Sequence, residues 1–244
     1  MGHEKEQETA GDELRRPEPP ALPWTVRLQL FALVTAVDIV QRGDGTVNRF
    51  LFSLADRQSA AAARPDAHGV RSGDVTVDAA GGNIAHHVAH RWAAATTSSS
   101  RRVRLAGVVL LQPFFGGEER TEAELRLDGV GPVVSMARAD WCWRAFLPEG
   151  ADRDHPAAHV TGENAELAEE FPPAMVVVGG YDTLQDWQRR YAGMLRRNGK
   201  AVQVVEYPAA IHSFYVFPEL ADSGELVKEM KAFMERNAPP KSNA

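Results

Sequence analysis

Three short apolar runs, each bounded by glycine or proline, constrain the fold of this chain more than any other feature of its sequence. The runs are LAGVVLLQP (105–113), AMVVVGG (174–180) and VQVVEYP (202–208). The first two are apolar enough to be buried on both faces, as the central strands of a parallel sheet are. Helical patterns follow the second and third runs. The order strand, long insertion, strand, helix, strand, helix therefore predicts a doubly wound α/β sheet.

The helical patterns can be read residue by residue. After the second run, one helical face carries a set of large apolar residues, and Gly199 stands where a C-terminal cap is expected. That face consists of Leu184, Trp187, Tyr191, Met194 and Leu195. After the third run, Asp222 or Ser223 can cap the start of a second helix. Its predicted apolar stripe consists of Leu226, Val227, Met230, Phe233 and Met234.

The amino-terminal part of the chain has a different character. Residues 1–22 are polar, rich in glutamate and interrupted by proline, which predicts a flexible tail. Apolar residues then recur at helical spacing from Trp24 to Gln41, and the run LQLFALVTAV within this segment is too short to span a bilayer. We expect four parts: the tail, a lid helix and loop at 23–73, an α/β domain at 74–238, and a second tail at 239–244.

Composition excludes several classes of protein. The chain has 244 residues, 44% of them hydrophobic, which is enough for one domain with a substantial core. Its formal net charge of −6 gives no attraction to nucleic acid or to an anionic membrane, so we expect neither as a partner. A single cysteine, Cys142, cannot form an internal disulfide, and the first residues contain no apolar signal-peptide core. The cytoplasm, with the nucleus as a second compartment, is the expected location.

The stretch DVTVDAAGGNIAHHVAHRW (74–92) has the layout of a nucleophile elbow, the sharp strand-to-helix turn that presents a catalytic serine. Ala79 occupies the position at which that serine would stand. The run DVTVD alternates polar and apolar residues, as a half-exposed strand does. A strand before an elbow lies inside the sheet and should be almost entirely apolar. The strand and the turn therefore do not match each other.

Two further residues stand where catalytic partners of a serine are expected. Asp182 follows the second apolar run and His212 follows the third, in the chain order serine, acid, histidine. A histidine takes the proton of the nucleophile and returns it to the leaving group, while a carboxylate orients the imidazole. Each residue also has a plain interpretation. An aspartate after a strand is commonly a helix cap, and a lone histidine is most often a surface or packing residue.

Several stretches together resemble the plant carboxylesterase branch of the α/β-hydrolase fold-3 group, which also contains the gibberellin receptors. The resemblance covers Trp24 to Asn237 and is strongest in AGGNIAHHVA, AGVVLLQPFFGGEERTEAE, VGGYDTLQDWQRRYAGMLRRNGK and YPAAIHSFYVFPE. It implies an α/β-hydrolase fold with an N-terminal lid, and ester hydrolysis by a Ser-Asp-His triad where that triad is complete. Asp182 and His212 match the acid and base of the family. Ala80, Gly81, Gly82 and Asn83 match the turn that follows the nucleophile in the family.

Two departures from the family pattern bear on activity. The family elbow is Gly-Asp-Ser-x-Gly-Gly-Asn, whereas Val77, Asp78 and Ala79 fill its first three places here. The family also carries His-Gly-Gly-Gly, whose backbone amides complete the oxyanion hole, but the only His-Gly pair in this chain is His68-Gly69. Since DVTVDA resembles the first strand of the family, we expect that an internal block is missing and that the fold is a partial α/β hydrolase. An alternative transcript, a truncated gene and a faulty gene model would all give this result.

Three functions follow from the resemblance. The first is a carboxylic ester hydrolase that is impaired because Ala79 replaces the nucleophile. The second is a non-catalytic binding protein for a hormone-like small molecule, as in the gibberellin receptors. The third is a truncated product with no independent function. Retention of His212 favours the first, since those receptors typically replace it. We expect no cofactor, while the substrate and the oligomeric state are left open by the sequence.

Other residues with reactive side chains have simpler explanations. His86 and His90 are spaced like metal ligands on a helix, but the glutamate of a zinc-protease helix is absent, which favours packing and no metal. Neither Cys142 nor Ser135 has the surroundings of a nucleophile. In DRDHPAAHV, Asp154 and the adjacent His155 are expected to hold a loop near the site.

Overall fold

The computed structural model describes residues 16–44, 46, 48, 81–95, 105–161 and 167–238. Residues 1–15 and 239–244 of the two predicted tails lie outside the described residues. So do the predicted strand at 74–78, the nucleophile position Ala79, and Ala80 of the predicted turn.

The described chain has three strands separated by helices, in the order that the sequence predicts. In chain order the elements are α1 (Trp24–Val40), α2 (Gly81–Ala94), β1 (Val108–Leu111), α3 (Glu122–Leu127), α4 (Met136–Phe146), β2 (Ala174–Tyr181), α5 (Gln185–Arg197), β3 (Val202–Ile211), a 3₁₀ helix (Phe214–Val216) and α6 (Ala221–Asn237). No helix in these ranges is long and apolar enough to cross a membrane.

The three strands form a parallel sheet in the order β1-β2-β3. Val108 is paired with Ala174 across β1 and β2, and Ala174 is paired with Val202 across β2 and β3. The central strand β2 is buried from Ala174 to Gly179, which agrees with its uninterrupted apolar sequence. The prediction of a parallel sheet flanked by helices is therefore confirmed. Because all three strands run in the same direction, the residues that follow them meet at one edge.

Each face of the sheet has its own apolar core, and β2 contributes alternate residues to both. Ala174, Val176 and Val178 pack in one core with residues of α2, α4 and α5. Met175 and Val177 pack in the other, against Val26 and Leu30 of α1 and against Leu226 and Phe233 of α6. The predicted helix over Trp24–Gln41 is thus confirmed as α1, and it covers part of one sheet face.

The helix that follows β2 has the predicted pattern. Its predicted face, Leu184 with four residues of α5, is buried. The helix ends at Arg197, and Gly199 adopts a left-handed φ of 70°, as the predicted C-terminal cap requires. The amide of Gly199 donates to the carbonyl of Arg196 and that of Lys200 to the carbonyl of Leu195. These bonds turn the chain sharply into β3.

Two expectations for the last helix are wrong. Helix α6 begins at Ala221 after Leu220, and neither Asp222 nor Ser223 caps it. The hydroxyl of Ser223 instead donates to the carbonyls of Phe214 and Phe217, at 2.9 and 2.8 Å. The predicted apolar stripe is also wider than the buried face, since Val227 and Met234 are exposed. The helix contacts the sheet along a narrower strip than its apolar residues cover.

Candidate active site

Asp182 and His212 meet at the carboxyl edge of the sheet. Asp182 follows the end of β2, and His212 follows the end of the neighbouring strand β3. Nδ1 of His212 donates to Oδ2 of Asp182 at 2.8 Å. Both side chains are buried, with 4% of His212 and 0% of Asp182 exposed. The prediction that the two residues lie within reach of each other is confirmed.

Three donors fix the carboxylate of Asp182. Besides His212, the amide of Leu184 donates to Oδ1 at 3.0 Å, and Nε2 of Gln188 donates to Oδ2 at 2.7 Å. Gln188 lies one turn into α5 and was not predicted from the sequence. The plain interpretation of Asp182 as a helix cap does not hold, since Leu184 is the cap residue of α5. The carboxylate therefore bonds both to the turn that follows β2 and to the imidazole of His212.

The bond to Asp182 determines the tautomer of His212. With the proton on Nδ1, the lone pair is on Nε2, which is the nitrogen that a general base needs. Within the described part of the chain, the hydrogen bond to Asp182 is the one that the imidazole makes. The ring of Phe114 stands edge-on to the imidazole, with centroids 6.4 Å apart. The pair thus has the orientation found in acid–base catalysis.

Gln112 is a buried polar residue at the same edge, and the sequence analysis missed it. It follows the end of β1, and its side-chain amide bonds to the chain on both sides of His212, at Ile211 and Ser213. The available signal was its position, since a glutamine closes the otherwise apolar run LAGVVLLQP. A polar residue at the carboxyl end of a buried strand is at the edge where functional groups gather.

Tyr215 lies close enough to the pair to be influenced by the charge of Asp182, and the sequence analysis did not single it out. It lies in the 3₁₀ helix that follows His212. Burial raises the pKa of the Tyr215 phenol, and the nearby Asp182 carboxylate raises it further, against a hydrogen bond with Ser213 that lowers it. The phenol therefore stays neutral at ordinary pH and can act as a hydrogen-bond donor.

The predicted turn residues that the structure describes lie at the start of α2. A Cβ atom on Gly82 would lie 2.6 Å from Cα of Pro113, so glycine is needed for the close approach of α2 to the chain after β1. Asn83 is buried, and its Nδ2 donates to the carbonyls of Phe114 at 3.1 Å and Ala157 at 2.8 Å. Gly81 is the first residue of the helix. These contacts join three separate segments, and the role of the turn in an oxyanion hole stays a prediction.

The histidines of α2 are packing residues. Nδ1 of His86 lies 2.9 Å from the hydroxyl of Tyr191, and its ring stands against Phe115 and Phe171. Burial lowers the pKa of His86 to about 3, so the ring is neutral at ordinary pH. Nδ1 of His90 accepts from the amide of Ala168 at 3.4 Å. Across the described residues, no three potential ligands are grouped to hold a metal ion.

The remaining candidates serve local structure. Oγ of Ser135 accepts from the amide of Arg138 and caps α4. Oδ1 of Asp154 accepts from the amide of Glu118 at 2.9 Å and from Nδ1 of His159 at 3.0 Å. His155 accepts from the amide of Ala157 through its own Nδ1, at 3.1 Å. These bonds support the interpretation of Asp154 and His155 as residues that hold a loop.

Known proteins with related sequences are gibberellin receptors and plant carboxylesterases. The chain is 42% identical over 159 residues to gibberellin receptor GID1C of Arabidopsis thaliana, covering 64% of this chain and 44% of the receptor. It is 36% identical over 140 residues to carboxylesterase 20 of the same plant, covering 54% of this chain and 41% of that enzyme. The chain therefore spans less than half the length of these relatives.

Comparison of folds agrees with the comparison of sequences. An esterase from Pyrobaculum calidifontis superposes with a TM-score of 0.54 at 28% identity, covering 63% of this chain and 48% of the esterase. The family model described as alpha/beta hydrolase fold matches residues 54–216, which is more than half of the chain. That match, together with the parallel sheet, shows that the chain belongs to the α/β-hydrolase fold family.

Proposed function

We propose that this chain carries the acid–base half of a carboxylic ester hydrolase site and that its ester turnover is impaired. The observation that carries the proposal is the buried 2.8 Å hydrogen bond from Nδ1 of His212 to Asp182. In a serine hydrolase, Nε2 of the histidine takes the proton of the serine hydroxyl and later returns it to the leaving alcohol. The carboxylate orients the imidazole and stabilises the imidazolium that forms between these two steps.

Two features of the sequence support the impairment. Ala79 stands where the family places its serine, and a methyl group can neither attack a carbonyl carbon nor release a proton. The His-Gly-Gly-Gly run that supplies oxyanion-hole amides in the family is also absent from the sequence. Asp182 and His212 would therefore be left without the group that they serve. In this proposal the pair is retained from an ester hydrolase ancestor.

The Ala79→Ser variant is expected to have no esterase activity above that of the unchanged chain. Loss of a catalytic serine costs on the order of 10⁶-fold in turnover, and loss of one oxyanion donor costs roughly 10²- to 10³-fold. A new hydroxyl corrects the first defect and leaves the second. It would also follow the run DVTVD, whose polar residues do not suit the interior of a sheet. Both proteins should match the buffer blank with a short-chain p-nitrophenyl ester at pH 8.

The control for this experiment is the double variant Ala79→Ser/His212→Ala. Turnover by Ala79→Ser that disappears in the double variant would mean that the site lacks only its nucleophile. It would also mean that the oxyanion donors are present, contrary to the proposal. Circular dichroism of all three proteins would verify that they are folded to the same extent.

A second candidate function is the binding of a hormone-like small molecule, and a pocket favours it. The pocket has a volume of about 300 Å³, which is at the lower end for small-molecule sites. Its wall is mostly apolar and includes the side chain of one cation, Arg27 of α1. Other lining residues include Leu22, Leu30, Phe31, Val130 and Pro132. Such a wall suits a ligand with an apolar body and an anionic group.

Calorimetry with gibberellin tests this alternative. If the pocket binds the hormone, titration should give a saturable heat. Arg27→Ala should then weaken the affinity about tenfold, the equivalent of roughly 1.4 kcal/mol. Arg126→Ala, a change on α3 outside the pocket lining, is the matched control and should leave the affinity unchanged. Absence of heat with the unchanged chain would remove the alternative. A truncated product without function predicts neither binding nor turnover.

A further inference from the structure

The side chain of Gln112 holds the peptide groups on both sides of His212. Its Nε2 donates to the carbonyl of Ile211 at 3.1 Å, and its Oε1 accepts from the amide of Ser213 at 2.7 Å. We propose that Gln112 is a positioning residue that fixes the backbone from which His212 reaches Asp182. The inference deepens the proposed function and rests on the acid–base role proposed there for His212.

The surroundings of Gln112 make the two hydrogen bonds strong constraints. Only 1% of the residue is exposed, so water does not compete for the amide. A buried amide that loses its partners is left unsatisfied at a cost in free energy, which keeps both bonds formed. The backbone of Gln112 is fixed as well, because its own amide donates to the carbonyl of Val177 in β2 at 3.1 Å. The side chain therefore projects from a rigid base.

Backbone strain is concentrated at Gln112 and at Ser213, the residue after His212. Gln112 has a φ of 42° and Ser213 a φ of 61°, and among the described residues they are the non-glycine residues with positive φ. A left-handed conformation is unfavourable for a non-glycine residue, and it persists where surrounding contacts hold it. A single hydrogen bond joins these two strained residues, next to His212. This arrangement would hold the backbone at His212 in one conformation and so fix the direction of its side chain.

The neighbouring strand leaves space for the amide of Gln112. A Cβ atom on Gly179 of β2 would overlap Nε2 of Gln112 and would lie 2.8 Å from the carbonyl oxygen of Ala210. Glycine at 179 therefore admits the glutamine side chain between the ends of the strands. Each of the three strands thus supplies one part: Gln112 after β1, Asp182 after β2 and His212 after β3.

Displacement of the His212 backbone would be felt directly in the acid–base pair. The carbonyl of Ile211 and the amide of Ser213 belong to the two peptide groups that share the Cα atom of His212, so a shift of either group moves that atom and the imidazole with it. An error of about 1 Å in the placement of a catalytic group can cost on the order of 10²-fold in rate. The role assigned to Gln112 is therefore to keep the imidazole aligned with Asp182.

NMR spectroscopy of the His212 imidazole in the full chain tests the inference without requiring turnover. In the unchanged chain we expect a slowly exchanging, low-field Nδ1 proton and well-separated shifts for the two ring nitrogens, with His212→Gln providing the assignment. Gln112→Met keeps the length of the side chain and removes both hydrogen bonds. We expect it to lose the Nδ1 proton signal and to bring the two nitrogen shifts together. Gln112→Glu keeps an acceptor for Ser213 and should give an intermediate spectrum.

Gln185→Met is the matched control. Gln185 is also buried, and its Nε2 donates to the carbonyl of Gly180 at 3.0 Å rather than to the chain at 211–213. Its replacement should leave the His212 signals unchanged. Unchanged His212 signals in folded Gln112→Met would overturn the inference. If that variant does not fold, Gln112→Glu decides, and a His212 spectrum identical to that of the unchanged chain overturns it.

Failure of the proposed function gives a different result. In that case Asp182→Asn would leave the His212 spectrum of the otherwise unchanged chain as it was, because Asp182 would not be the group that orients the imidazole. Loss of the Nδ1 signal in Asp182→Asn, with its retention in Gln112→Met, would leave the pair standing and reject Gln112 alone.

Discussion

Trp187→Ala is expected to lower the free energy of unfolding by about 3–5 kcal/mol, the range typical of a buried tryptophan. The side chain is 0% exposed and belongs to the core between the sheet and α5. Its removal leaves a cavity next to Gly117, whose Cβ, if present, would lie 2.5 Å from the indole ring. It also removes the 3.0 Å hydrogen bond from Nε1 to Glu124, a buried carboxylate. Urea denaturation followed by circular dichroism would measure the loss.

The matched control is Trp24→Ala at the start of α1. Trp24 is 73% exposed, so its removal should change the free energy of unfolding by no more than about 0.5 kcal/mol. Similar losses in the two variants would contradict the assignment of Trp187 to the core. They would equally contradict the description of α1 as contacting the sheet through Val26 and Leu30.

Asp182→Ala is expected to destabilise the fold by roughly 3–5 kcal/mol, as removal of one partner from a buried pair generally does. The carboxylate accepts hydrogen bonds from His212, Leu184 and Gln188, and alanine would leave all three buried donors without that acceptor. Functional residues often cost stability, and their removal can then stabilise a protein. Here the three donors around the carboxylate lead us to expect a loss of stability rather than a gain. The same denaturation measurement applies.

Asp38→Ala is the control for this second experiment. Asp38 forms an exposed salt bridge with Arg138 at 2.8 Å, and such pairs contribute about 0–1 kcal/mol. An Asp182→Ala protein as stable as Asp38→Ala, or more stable than the unchanged chain, would contradict this prediction. It would mean that the pair of Asp182 with His212 does not stabilise the fold.

The parts of the site that the sequence predicted are those that follow from strand order. Asp182 and His212 each follow an apolar run that reads as a buried strand, and parallel strands bring such residues to one edge. The helix face around Trp187 follows in the same way from its spacing. These features depend on the pattern of single segments and on the rule that parallel strands end at the same edge of a sheet. Predicting them does not require knowing which side chains are in contact.

The hydrogen-bond partners of Gln112 and Gln188 could not be predicted in that way. Gln112 is 101 residues from Ser213, its hydrogen-bond partner, and no local pattern records such a contact. The wrong cap of α6 has a similar cause, since the hydroxyl of Ser223 bonds to the preceding 3₁₀ helix. A side chain with several potential partners is assigned by the tertiary structure. Sequence periodicity indicates only which face it occupies.

The sequence separations of these contacts imply an order of assembly. Asp182 and His212 are 30 residues apart and each follows one of the two strands of a strand–helix–strand unit, whereas Gln112 and Ser213 are 101 residues apart. Closing the longer loop costs about 1 kcal/mol more in chain entropy. We therefore expect a folding chain to bring the imidazole to its carboxylate first, and the bond from Ser213 to Gln112 to close later. The final geometry of the pair then depends on the packing of β1 against β2, although Asp182 and His212 are already close to each other.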